Sequence, residues 1–237
     1  MRKVCVSTAC WWGLDRNLNR VISTIAKQKI DGVELCFVYL KELLSCKLSR
    51  KSIDYLKGLE FNTIHAPMKH HYTNSTRTKN IISKIAKLYD AIDAKFVIIH
   101  PWLVKSYKHI DASGMNVCME NGPNKANRGL HYARDLKLLD AHANMNFVLD
   151  VGHAATHSFS LTGEFVNALG GKIAYVHVNT TFSKKDEHQP IHLADDKFIK
   201  SLVPIKKLKC PIVLEVLYRK NADDYAKDIK FIKKNFL

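Results

Sequence analysis

Eight short, mostly apolar segments recur along the chain: Val4–Ala9, Gly32–Phe37, Phe61–Ala66, Phe96–His100, Asn116–Glu120, Phe147–Asp150, Ile173–Val178 and Ile212–Val216. They are rich in Val, Ile and Phe almost throughout instead of alternating with polar residues, as expected of strands buried on both faces. Between them the apolar positions shift to helical spacing. Arg16–Lys29 carries Leu18, Val21, Ile22, Ile25 and Ala26, and Ser75–Ile92 opens with Ser/Thr caps and repeats Ile81, Ile82, Ile85, Leu88 and Tyr89. Lys51–Leu59, Gly129–Ala143, Leu161–Leu169, Phe198–Leu208 and Ala222–Phe236 complete the predicted helices. The link from His100 to Asn116 is short, which predicts a truncated helix there. Alternation of strand and helix predicts a parallel sheet, and eight repeats predict an α/β protein closed into a (β/α)8 TIM barrel, one domain over residues 1–237. A doubly wound open sheet is the alternative. No Gly-rich dinucleotide fingerprint follows the first strand, where the chain reads Thr8-Ala9-Cys10-Trp11-Trp12-Gly13.

Composition changes this picture little until charge is counted. A hydrophobic fraction of 46% is ordinary for a globular core. No run approaches the roughly 18 apolar residues of a membrane span, and Met1-Arg2-Lys3 leads straight into a strand pattern without a signal-peptide core. These features predict a cytoplasmic protein without membrane association. The six Cys are scattered without a C-x-x-C pair, as reduced thiols would be. The formal net charge of +15 favours a polyanionic partner, nucleic acid above all, although a solvated Lys-rich surface gives the same number.

The candidate chemistry sits at the strand ends. In Phe147-Val148-Leu149-Asp150-Val151-Gly152-His153 an apolar run stops at an Asp, and a His follows three residues later. A strand interior has no use for an unpaired carboxylate, because desolvating the charge is costly. The same grammar recurs at His65-Ala66-Pro67, His100-Pro101, Glu120-Asn121, His177-Val178-Asn179 and Glu215-Val216, and a loop carries Asp186-Glu187-His188. Taken singly, a His or Glu at a strand end is an ordinary polar residue. Six consecutive strands ending this way predict a metal site, since parallel barrel strands converge at one mouth. His and carboxylate without thiolate suit zinc, manganese or a similar divalent cation. His109, His131, His142, His157 and His192 are read as surface or supporting residues.

The ordered set His65, His100, Glu120, Asp150/His153, His177, Asp186-x-His188 and Glu215 resembles the endonuclease IV family of abasic-site endonucleases, within the xylose isomerase-like barrels. The resemblance spans nearly the whole chain. It implies a zinc-dependent DNA-repair phosphodiesterase with up to three zinc ions, acting on abasic sites in DNA. His65 and His100 would hold one zinc, with Glu120 bridging to a second completed by Asp150, His177 and Glu215. His153, Asp186 and His188 would hold the third. Glu120 and Glu215 would be the catalytic residues. No obligate protein partner is implied.

Sugar and sugar-phosphate isomerases and epimerases of the same superfamily resemble the chain at Glu120, Asp150, His177 and Glu215. They imply one divalent cation, with manganese or magnesium also suitable, and Glu120 and Glu215 as an acid/base pair across a small sugar. That reading needs neither His65 nor His100. Two departures from the family pattern stand out: Pro190-Ile191-His192-Leu193 replaces a Gly-x-Gly-like turn after His188, and Trp102 replaces a Gly after His100-Pro101. Trp102 is therefore expected to narrow the mouth or offer a stacking surface. Candidate DNA-contacting segments are Trp11–Gly13 and Met68–Asn74, the latter with Lys69, His70, His71 and an expected exposed aromatic, Tyr72.

Overall fold

The computed structural model describes residues 2–124, 132, 135, 142, 145–219 and 224–237. Eight parallel strands pair in sequence order, β1 next to β2 through β7 next to β8, and β8 closes onto β1. They are β1 Val4–Ser7, β2 Gly32–Cys36, β3 Asn62–His65, β4 Ala94–Ile99, β5 Val117–Glu120, β6 Met145–Asp150, β7 Ile173–Val178 and β8 Ile212–Leu214. Among the described residues the helices are α1 Leu18–Ile25, α2 Leu40–Ser45, α3 Arg50–Lys57, α4 Thr76–Ala91, α5 Lys108–Asp111, α6 Val151–His157, α7 Leu161–Leu169, α8 Asp196–Ser201 and α9 Asp224–Phe236. The chain is a (β/α)8 barrel, and no described helix is long and apolar enough to cross a membrane.

Strand periodicity places the site. Side chains two residues apart on a strand share a face. A buried plug fills the barrel with Cys5, Phe61, Ile98, Cys118, Val148, Tyr175 and Val213. Two positions further along the same strands come Ser7, Thr63, His100, Glu120, Asp150, His177 and Glu215, all buried. The apolar residues between them, such as Met119, Leu149, Val176 and Leu214, join the larger core beneath the helices. Both faces are therefore dry, which is why the sequence reads as continuous apolar runs ending in polar residues.

The predicted elements differ from the observed ones mainly at their ends. Ser75 caps α4 by accepting from the Thr78 amide at 3.2 Å. The predicted helix Phe198–Leu208 is instead the short α8 followed by a 3₁₀ turn, Val203–Lys207, with Pro204 in its first turn. Pro204 has no amide hydrogen to continue the ladder. Neither α2 nor α6 is among the predicted helices, and α5 is the truncated helix expected before β5. The predicted helix Gly129–Ala143 lies outside the described residues apart from 132, 135 and 142. Gly32 is required by close packing, since a Cβ there would sit 1.7 Å from the Phe61 carbonyl oxygen.

Candidate metal centre

Asp150 is both the end of β6 and the N-cap of α6. Its Oδ1 accepts from the His153 amide at 2.6 Å, so the spacing Asp-x-x-His follows from a cap joined to its third helical residue. Asn179 donates to the other carboxylate oxygen at 2.9 Å. Asn121 grips the Asp150 backbone in both directions, accepting from its amide at 2.8 Å and donating to its carbonyl at 2.9 Å. Gly152 leaves room for this arrangement, because a Cβ would fall 1.7 Å from Asn179 Oδ1.

Among the described residues, nine meet at the mouth in three groups whose donor atoms could hold cations: His65, His100 and Glu120; Glu120, Asp150, His177 and Glu215; and His153, Asp186 and His188. Glu120 belongs to two of them. Its Oε2 lies 2.8 Å from His100 Nε2 and 3.5 Å from His65 Nε2, while its Oε1 lies 2.8 Å from His177 Nδ1. His177 Nδ1 is also 3.1 Å from Glu215 Oε2. In the third group Asp186 Oδ1 lies 3.4 Å from His153 Nε2 and 3.0 Å from His188 Nε2.

The donor set fits cations on two counts. Glu120 Oε2 and Glu215 Oε2 are buried with no aligned hydrogen bond among the described residues, despite imidazole nitrogens at short range. Such convergence without alignment suits a shared ion better than a shared proton. The rings are also held for ligation: the Nδ1 atoms of His65, His153 and His188 face the carbonyls of Ala66, Asn121 and Glu215 at 3.1, 2.8 and 3.0 Å. A proton fixed on Nδ1 leaves the Nε2 lone pair pointing into the site.

Electrostatics follow from burial opposed by mutual contact. Burial would raise the Glu120 carboxyl, yet His100 and His177 hold it well below the usual range. Burial likewise opposes ionisation of Glu215, but the charge and contact of His177 bring it to about 2. Asp150 is raised by desolvation. Burial would lower the His153 and His177 imidazolium groups, and the surrounding carboxylates raise both well above the ordinary value. His100 is lowered by burial, despite its contact with Glu120.

A cavity of about 350 Å³ opens above these groups, lined among others by Trp12, Lys69, His100, Trp102, Asp186 and Glu215. Trp102 stacks on His100 with ring centroids 4.2 Å apart, and Lys69 is exposed at the rim. Tyr72, expected as an exposed aromatic, is not one. It is fully buried with its hydroxyl donating to the Pro67 carbonyl at 3.2 Å, so it anchors the loop after β3 and presents no face to a ligand.

Sequence reasoning passed over four side chains and one loop. Asn121 and Asn179 position Asp150, and Glu34 backs His177, its Oε2 lying 3.0 Å from the ring Nε2. Asp228 of α9 accepts from the His192 ring at 2.7 Å and from the Tyr218 hydroxyl, tying down the segments that follow His188 and Glu215. His188 itself is held at a positive φ of 45° by the Leu217 amide donating to its carbonyl at 2.8 Å. The loop before Asp186 exposes Phe182, at 60%, beside Lys184 and Lys185. Glu187 stiffens it by accepting from the Phe182 amide at 2.8 Å and the Ser183 hydroxyl at 3.0 Å. An aromatic beside two lysines, just before a candidate ligand, was the available signal.

No protein-family model matches the sequence, and no curated protein does. Solved structures match the whole barrel. One titled a D-tagatose 3-epimerase-like protein is 21% identical with a TM-score of 0.73, covering 98% of this chain and 96% of its own. Endonuclease IV from Thermus thermophilus is 12% identical with a TM-score of 0.68, covering 98% of each chain. D-psicose 3-epimerase crystallised with D-fructose is 12% identical with a TM-score of 0.72, covering 99% of each. The barrel shares the fold of these structures. At these identities the likeness is one of fold, and function rests on the site.

Proposed function

We propose that this barrel is a metal-dependent phosphodiesterase acting at abasic sites in DNA, in the manner implied by its resemblance to endonuclease IV. The observation that carries the reading is the joining of three donor groups at one mouth through the shared carboxylate of Glu120. Chemistry with one cation would use only the central group, leaving the buried pair His65 and His100 and the group at Asp186 without a task. Divalent cations bound there would supply charge neutralisation for the attacking and leaving oxygens of a phosphodiester and a lowered pKa for water.

The chain's own residues would do the rest. Glu120 holds two groups in a fixed relation. Glu215, ionised at neutral pH, accepts a hydrogen bond from the attacking water and orients it for in-line displacement. The product would be a nick 5′ to the abasic sugar. Lys69, Lys184 and Lys185 offer cations to the flanking phosphates, and Trp102 and Phe182 offer aromatic faces to unstacked bases. The +15 charge supports the same partner.

A second reading is a sugar or sugar-phosphate epimerase or isomerase. Two observations favour it: the central group is complete as a single-cation site, and the cavity of about 350 Å³ is of small-ligand size. Glu120 and Glu215 would then remove a proton and return it, to the opposite face of the same carbon in an epimerase or to the adjacent carbon in an isomerase. Elemental analysis of protein purified without chelators separates the readings. About three zinc ions per chain supports the nuclease, whereas a single cation with proton exchange on a ketose moves the assignment to the isomerase.

A further inference from the structure

Among the described residues, Glu34 is the buried carboxylate at the mouth that belongs to none of the three donor groups. It sits mid-strand on β2, in register with Thr63 on β3, and is 0% exposed. Its Oε2 accepts from the Thr63 hydroxyl at 3.1 Å and the Tyr175 hydroxyl at 3.3 Å, and faces His177 Nε2 at 3.0 Å. Its Oε1 has no partner among the described residues. A buried acceptor left unpaired is destabilising, and an apolar or amide side chain would fill this place in the barrel at lower cost.

The orientation of His177 supplies the reason. His65, His153 and His188 turn Nδ1 toward backbone carbonyls and Nε2 toward the site. His177 is reversed, with Nδ1 2.8 Å from Glu120 and 3.1 Å from Glu215, and Nε2 toward Glu34. No backbone carbonyl holds its outer nitrogen; a carboxylate does. We infer that Glu34 is a positioning residue that keeps a proton on Nε2 of His177 and so presents Nδ1 as the donor to the cation of the central group.

A carboxylate does more than a carbonyl in this place. Its negative charge makes the ring a stronger donor, and the hydroxyls of Thr63 and Tyr175 fix it against the ring. The role rests on the reading of the central group as a cation site and holds whether one cation or three bind. It also gives the site a division of labour, because among the described residues the imidazole of the central group has a carboxylate at hydrogen-bond distance from its outer nitrogen, where His65, His153 and His188 have backbone carbonyls.

The test is a zinc titration in competition with a chromophoric chelator, on wild type and on Glu34→Gln, an isosteric change. The Gln variant should bind one equivalent about 10- to 100-fold more weakly and the others unchanged. Long-range ¹H–¹⁵N spectra of the zinc-loaded wild type should place the His177 proton on Nε2, a readout that needs no variant. Titration of Glu34→Gln identical to wild type, or equal weakening of every equivalent, would overturn the role, as would a His177 proton on Nδ1. A wild type that takes up no zinc would overturn the cation reading itself, a failure visible before any variant is compared.

Discussion

At the residue scale, Glu120 joins the site together, since two donor groups share its carboxylate. His65→Ala combined with His100→Ala should remove about one cation equivalent and abolish nicking while the central group still loads. Glu120→Gln should weaken two equivalents together. Metal analysis of the two variants checks both, and an unchanged count in the double mutant would detach that pair from any cation. The residues of the donor groups were legible as a cluster because an apolar run that ends in His, Glu or Asp has few structural excuses. Glu34 was missed although Gly32-Val33-Glu34-Leu35-Cys36 shows the same anomaly, a charge inside an apolar run. Its partners Thr63, Tyr175 and His177 come from two other strands, so its role depends on a register that no local pattern displays. Tyr72 failed for the opposite reason. Its neighbours Lys69 and His71 are exposed, but pairing of its backbone with Leu103 and Lys105 turns the ring into the core.

At the element scale, the barrel was readable from repetition, whereas the short helices were not. α6 begins on the residue after Asp150, so the cap and the candidate ligand are one side chain and no polar linker announces a helix. That economy makes Gly152 sensitive. Gly152→Ala should displace Asn179, loosen Asp150 and cost about 1–3 kcal/mol in overpacking. Denaturant unfolding of cation-free protein measures it, and an unchanged midpoint would show that Asn179 swings aside freely. The exposed loop before Asp186 offers the converse test, with little risk to folding. Phe182→Ala should weaken binding to abasic duplex by about 5- to 150-fold, the range expected for one lost base stack. Removing Lys184 and Lys185 together should reduce the salt slope of log K by about 0.9 per lysine. Fluorescence anisotropy across a salt series reads both, and slopes equal to wild type would place this loop away from the DNA.

At the scale of the whole molecule, a chain with a formal net charge of +15 carries a barrel mouth crowded with buried carboxylates. The crowding has a pH signature. Burial would lower the His188 imidazolium, but the charge and hydrogen bond of Asp186 raise it from 6.5 to about 10. Because the folded value lies above the unfolded one, the stability it contributes to cation-free protein is full below pH 6.5 and lost as pH rises toward 10. Cation binding to this group must displace that proton, so its affinity should rise over the same interval. Thermal melts of chelator-stripped protein between those limits should therefore fall as pH rises, and a flat profile would contradict the ionic picture of the group.

The nuclease reading stands or falls on cleavage of a duplex bearing a single abasic site by zinc-loaded protein, followed on a sequencing gel. One nick immediately 5′ to the abasic sugar is expected, absent with the His65→Ala/His100→Ala protein. An intact duplex in the presence of fully loaded wild type would contradict that reading.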